Sequence, residues 1–299
     1  MNLNSGMAGY FILQAVNVDT GTVRHLAEFE NLILDAGLER MGTGSYLDVC
    51  RIGSGNSVPT VLQTALDNKI ASTNSVQSDV YGAQGTAPYY GWKKKTFRFN
   101  AGVATGNLSE VGVGWGNTTT DGFLYSRALI KDGNGDPTTI TLLADEFLDV
   151  TYELRCYPNL TDVTITGLDL GESTHDVTIR AASVTNGYEW GLPLGGAARF
   201  SAYASSTIFD GGIGVITSSP SGTQVGVGEI NLPYSANSRK RTASATLSLN
   251  YANLAGGIRS IKLSTSLGAH QLEFNPPINK TSEKTLTLNF EVSWGRHVA

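Results

Sequence analysis

Along most of this chain apolar residues recur at every second position in short runs, and Gly, Asn, Asp and Pro separate the runs. That is the pattern of half-buried strands joined by turns. Tyr10–Val18 alternates, Asp19-Thr20-Gly21 breaks it, and Thr22–Phe29 resumes, which predicts a hairpin. Only Asn31–Met41 (NLILDAGLERM) carries a helical stripe: Leu32, Ile33, Ala36, Leu38 and Met41. Asn31 would cap its start and Gly42 its end. Tyr46–Ile52 reads as a strand, and GSGNSVP after it as a turn. Thr60–Lys69 reads as a helical turn or an extended crossing. Ile70–Tyr90 is polar, rich in Ser and Gly, and reads as a loop or an irregular hairpin. Trp92–Ala101 is a strand with Phe97 and Phe99 on one face. Glu110–Trp115, Phe123–Lys131 and Thr138–Tyr157 form the densest group of strands, with a reversal at Asp132–Pro137.

Past Pro158 the pattern loosens. Asn159–Ser183 holds two short β pieces, and Val184–Gly196 reads as a linker or an ordered loop. Strands return at Arg199–Ile208, Gly212–Ser218, Ala243–Tyr251, Ile258–Leu267, His270–Phe274 and Lys284–Gly295. The two halves share an order of events. KKKTFRF leads to PTTITLLADEFLDVTYELR in the first, and RKRTASATLSLNYANL leads to KTLTLNFEVSWGR in the second. Each runs from a basic triplet to a Thr-rich strand that ends in an aromatic and an arginine. A duplication accounts for this; a chance parallel between two β-rich segments is the alternative. The predicted fold is all-β: two tandem β-sandwich domains, related by duplication, with one short N-terminal helix. The divisions are 1–42 (hairpin and helix), 43–158 (first sandwich), 159–196 (connecting segment) and 197–299 (second sandwich).

Composition narrows the function. Charged residues are 16% of the 299, against about 25% in ordinary globular chains. A formal charge of −5 leaves no chain-wide footprint for nucleic acid. The basic runs Lys93–Lys95 and Arg239–Arg241 each lead into a strand, where cations guard an edge more often than they bind phosphate. No apolar run is long enough to span a bilayer, and the N-terminus lacks the basic and apolar regions of a signal peptide. Cys50 and Cys156 both sit in apolar contexts and are expected as small buried hydrophobes. The histidines are too scattered for a metal site.

Candidate chemistry is thin. Asp145, Asp149 and Glu153 share one strand face, which reads as a solvated face before it reads as a pair of catalytic carboxyls. DGNGDP has the alternating oxygens of a calcium loop, but Leu143 stands where the bidentate Glu is required. GVGWG lies inside strand alternation and signals close packing. No catalytic, cofactor or metal residue is therefore assigned. Loop-placed aromatics remain as candidate contacts for a partner or receptor. Tyr89, Tyr90, Trp92, Tyr188 and Trp190 are the main ones, with Tyr81, Tyr203 and Tyr234 beside them. Packing onto the β cores is the structural reading of the same residues.

Two passages together resemble tailed-bacteriophage tail structural proteins of the tail-fibre, tail-tip or baseplate type. They are NLILDAGLERMGTGSYLDVCRIGSGNSVPTVLQTAL and LSEVGVGW…LYSRALIKDGNGDPTTITLLADEFLDVTYELRCYP. Their common words are N-L-I-x-D-A-G-L, then G-x-G-x…P…Q-T-x-L, then L-x-S-R-A-L-I-K-D…G-x-P-T-T-I-T. The resemblance covers about residues 20–158. It implies a non-enzymatic virion component that assembles in the host cytoplasm with other tail proteins, as a trimer or a ring. With the composition above, no cofactor, nucleic-acid partner or membrane insertion is expected. A receptor- or glycan-binding role at the tail tip, and a collar or head-fibre position, are the alternatives.

Overall fold

A computed structural model describes residues 1–119 and 121–298. The chain is an all-β protein of several sheets, and its elements run in order as follows. The N-terminal part supplies β1 (Asn2–Asn17), β2 (Val23–Glu30), β3 (Leu32–Ile33) and α1 (Asp35–Arg40). The first half continues with β4 (Val49–Gly53), β5 (Lys69–Thr73), β6 (Val76–Ala83), β7 (Gly91–Phe99) and β8 (Gly106–Leu108). It ends with β9 (Glu110–Gly114), β10 (Leu124–Leu129), β11 (Ile140–Leu142) and β12 (Glu146–Pro158). Then come β13 (Val163–Asp169), β14 (Thr174–Ala182) and α2 (Gly187–Trp190). The second half supplies β15 (Ser206–Phe209), β16 (Gln224–Val227), β17 (Ile230–Asn231) and β18 (Lys240–Leu247). It closes with β19 (Ile258–Thr265), β20 (Gly268–Ile278) and β21 (Leu286–Arg296).

The halves repeat one connectivity. In the first, β5-β4-β9-β10 are neighbours in one sheet and β6-β7-β12 in another. In the second, β16-β15-β19-β20 and β17-β18-β21 are neighbours in the same relation. Taken in chain order, β4, β5, β6, β7, β9, β10 and β12 correspond to β15 through β21. Every one of these pairings is antiparallel. The β8–β11 pair is an insertion in the first half. The two basic triplets mark corresponding strands, β7 and the start of β18. The two Thr-rich strands are β12 and β21.

The halves share a sheet. One edge of β1 pairs with β12 over Ser5–Asn17. Its other edge is divided: β21 runs parallel to Asn2–Met7, and β2 antiparallel to Tyr10–Val16. Both halves thus meet on β1, in an eight-stranded sheet ordered β17-β18-β21-β1-β12-β7-β6, with β2 also on β1. The segment expected as a connection does more than connect. Its strands β13 and β14 complete a six-stranded sheet, β13-β14-β20-β19-β15-β16. The inward positions meet in one apolar cluster. On β12 these are Leu148, Val150, Tyr152, Leu154 and Cys156. Both cysteines are free and buried, as expected of small hydrophobes.

Several local expectations differ from what forms. Leu32 and Ile33 leave the helical stripe to pair with Arg127 and Ser126. The helix therefore starts later, with Leu34 at its N-cap position, and Asn31 does not cap it. Ile70–Tyr90, expected as a loop or an irregular hairpin, holds most of β5 and all of β6, whose polar outward residues conceal the alternation. Gly212–Ser218, expected as a strand, is a loop lying over the second-half sheet.

Candidate functional site

The words of the two passages quoted above come together as joints. Glu110 on β9 and Arg127 on β10 are both fully buried and paired at 2.8 Å. Glu110 also accepts backbone N–H bonds from Gly55 (2.9 Å), Asp67 (3.0 Å) and Asn68 (2.8 Å). Arg127 reaches Gln63 and Asp67 at 2.8 and 2.9 Å. The knot holds residues 54–68, the loop between β4 and β5, over the outer face of its sheet. A Cβ on Gly55 would overlap the Glu110 carboxylate, so glycine is required there. Asp67 is partly desolvated, but its bonds from Ser57 and Arg127 outweigh that and hold its carboxyl below the usual range. A second joint ties the first helix to the last strand. Asp35 accepts from Arg296 (2.6 Å) and Arg239 (2.8 Å), and Trp294 Nε1 donates to the Leu38 carbonyl at 2.7 Å. The Arg296 bond, opposed by partial burial and helped by Arg239, keeps Asp35 below its ordinary pKa.

The carboxylate face of β12 is not solvated as expected. Asp149 is paired with Arg98 (2.6 Å), and Glu153 with Lys94 (2.8 Å) and Arg155 (2.6 Å). Asp149 and Glu153 are buried under these partners. In the second half Lys240 pairs with Glu291 at 3.0 Å. The triplets therefore supply cations to the neighbouring Thr-rich strands.

The five candidate contact residues lie around one seam, where α2 rests on β6 and β7. Glycines make the approach possible: a Cβ on Gly91 or Gly191 would overlap backbone across the seam. Asn186 caps α2 by accepting from the Tyr188 N–H at 3.0 Å. From this seat the five part company. Trp190 is the correction: it is fully buried, donates Nε1 to the Ala182 carbonyl (2.9 Å), and packs on His270. A side chain so enclosed anchors α2 and offers no contact surface. Tyr89 packs against the core. Tyr90 tilts onto Tyr157 (5.1 Å) and covers the Arg155 guanidinium at 4.7 Å, and the Tyr10 ring lies 3.8 Å from the same guanidinium. Trp92 is half-buried under Lys94. Tyr188 alone is well exposed, at 54%. Its ring stands 5.6 Å from Tyr81 and 5.9 Å from Tyr203.

Beside this tyrosine cluster lies a cavity of about 380 Å³. Asp79, Lys93, Lys95, Leu192, Pro193 and Arg199 are among its walls. Lys95 is spent on the Leu47 carbonyl at 2.8 Å, and Lys93 faces Asp79 at 3.4 Å. Arg199 has no ion-pair partner among the described residues. The sequence singled out Tyr188 but not the edge strand or Arg199 that frame it. The polar run Ile70–Tyr90 read as a loop or an irregular hairpin, and its residues did not mark β6 as a sheet edge. Among the described residues no cluster of His, Cys, Asp or Glu could hold a metal ion, and no helix is long and apolar enough to cross a membrane.

No family model, no curated protein and no solved structure matches the chain.

Proposed function

We propose that the chain is a non-enzymatic structural component of a bacteriophage virion tail, at the baseplate, the tail tip or the fibre attachment, supporting host adsorption. It would assemble with other tail proteins as a homo-oligomer. One observation carries the reading. The residues behind the tail-protein resemblance are joints of a scaffold: Gly55, Gln63, Glu110 and Arg127 in one, Asp35 and Leu38 in the other. A resemblance absorbed by such joints is one of architecture, which suits a building component. The test is composition of purified particles by mass spectrometry, with cryo-electron microscopy to place the chain. Stoichiometric copies in the tail are expected. Particles that infect normally without the chain would overturn the reading, and copies at the head or neck would favour a collar or head-fibre role.

The exposed pair Tyr188 and Tyr203 favours a second reading, a receptor- or glycan-binding module at the tail tip. Binding of the purified chain to host cells, lost in Tyr188→Ala, would support it. Equal binding by the variant would remove it.

A further inference from the structure

The free edges of the sheets are guarded unequally. β3 and β17 are two residues long and β16 four, too short to template a partner. β5 begins with Lys69, which is ion-paired to Asp121. β13 breaks register between Ile165 and Leu168, with Gly167 at φ 66°. β6 differs from all of these. Ser78–Ala83 pairs with β7 without a break. It contains no Lys, Arg or Pro, and its one carboxylate, Asp79, faces Lys93. Val76 and Val80 are 40% and 48% exposed along it. No backbone bond joins β6 to any described element other than β7. Such a row of open N–H and C=O groups accepts only another extended strand.

We propose that a second copy of this chain docks on β6, its own β6 running antiparallel about a twofold axis. The sequence VQSDVYGA is self-complementary in that arrangement. Centred on Val80, the pairing sets Val80 against Val80, Asp79 against Tyr81 and Ser78 against Gly82. No like charges stand opposite one another, and a β-branched pair occupies the centre. A twofold pairing uses each edge once and closes, so it makes a pair and not a fibre. The opposite edge of the same sheet, at β17, is too short to extend the array. Exposed Tyr188 and Tyr203 stand beside the edge and add apolar surface at its flank. The contact would come in addition to any that a tail's own symmetry imposes. It rests on this fold, and the measurement below needs no particle, so its failure is separate from failure of the tail assignment.

Sedimentation velocity of the full chain tests it. Monomer and dimer should exchange with concentration up to about 100 μM, the weak range of small interfaces. Val80→Lys, an edge charge of the kind proteins use against pairing, should weaken the dimer at least about tenfold. Val80→Thr should keep it. Both variants should melt with the wild type, because Val80 is half exposed. Hydrogen exchange should slow at Ser78–Ala83 in the dimer. A wild type that stays monomeric, a dimer indifferent to Val80→Lys, or a dimer with unchanged exchange at β6 would each overturn the proposal. Protection of β6 only when other tail proteins are added would give the edge to a different partner and overturn it as well.

Discussion

The two halves solve one problem with different chemistry. In each, the loop between the first two strands of the repeated unit lies over the outer face of its sheet and must be held there. Residues 54–68 are held by Arg127 on β10, and residues 210–223 by Gln271 on β20. These are matching strands, and the cross-strand rows agree: Arg51, Gly112, Arg127 in one half and Thr207, Lys262, Gln271 in the other. Both side chains are fully buried. Arg127 works through a buried ion pair with Glu110. Gln271 is neutral: it donates to the carbonyls of Gly214, Val215 and Ala181, and its Oε1 accepts the Gly214 N–H at 2.9 Å. The repeated position keeps its task in both halves while its charge differs, and in each half the buried group finds its partners.

Arg127→Ala breaks the comparison most severely. It leaves the Glu110 carboxylate buried without its cation, at a cost of about 3–5 kcal/mol. A lower urea midpoint should show it, with faster amide exchange in residues 54–68. Removing both charges, as in Glu110→Gln with Arg127→Leu, should recover part of the loss. If Arg127→Ala unfolds like the wild type, the knot does not hold the first half together.

The residue before each tie separates the halves by pH. Ser126 precedes Arg127, and His270 precedes Gln271, both buried on the inward face. Neither ring nitrogen of His270 has a hydrogen-bond partner, and burial pushes its pKa down to about 4. Trp190 packs beside it with its ring tilted, and Arg180, paired with Asp162, lines the same small cavity, so no anion there favours the proton. The unfolded chain, with an ordinary value of about 6.5, then binds the proton that the folded chain refuses. Stability should fall from pH 6.5 toward 4, by about 3 kcal/mol in all. The carboxyls of Asp35 and Glu153 are depressed, so their contribution is present above the ordinary carboxylate range and is lost only at lower pH. His270→Gln should flatten the upper window. A slope that survives the substitution would assign it elsewhere.

Gln271→Ala comes third. It leaves the Gly214 N–H and carbonyl without their side-chain partner, at about 1–3 kcal/mol. Unlike Arg127→Ala it should be indifferent to salt. Equal losses in the two variants would mean that the charge in the first half adds nothing beyond the hydrogen bonds.

Much of this comparison was legible in the chain. The basic triplets and the Thr-rich strands marked β7, β12, β18 and β21, because period-2 alternation survives wherever a strand has one buried face. The hairpin of β1 and β2 was legible for the same reason, with Asp19-Thr20-Gly21 as its turn. What stayed hidden lay at edges and junctions. The strand was expected to begin only at Tyr10, since Ser5 and Gly9 interrupt the inward series of Leu3, Met7 and Phe11. β6 read as a loop or an irregular hairpin because an edge strand needs no outward apolar residues. Trp190 looked exposed because it sits among Asn, Gly and Pro; its burial depends on glycines about a hundred residues away, which no local pattern reports. The partners of Asp149 and Glu153 were invisible too, since strand parity shows which face a carboxylate shares and not which cation crosses to it.

The smallest effect tests whether the triplets still do equivalent work. Thr96–Thr151 (2.8 Å) in the first half has its match in Thr246–Thr287 (3.0 Å) in the second. The Lys94–Glu153 and Lys240–Glu291 pairs lie along the same two ladders. They differ in burial: the glutamate side chain is 6% exposed in the first and 26% in the second. Lys240→Ala should therefore cost under about 0.5 kcal/mol and lose even that in high salt. Lys94→Ala should cost about 1 kcal/mol, because Glu153 keeps Arg155 and is not stranded. Chemical denaturation at low and high ionic strength reads both. If the two losses are equal, burial of the acceptor does not set the strength of these pairs, and the ladders must be compared by strand geometry instead.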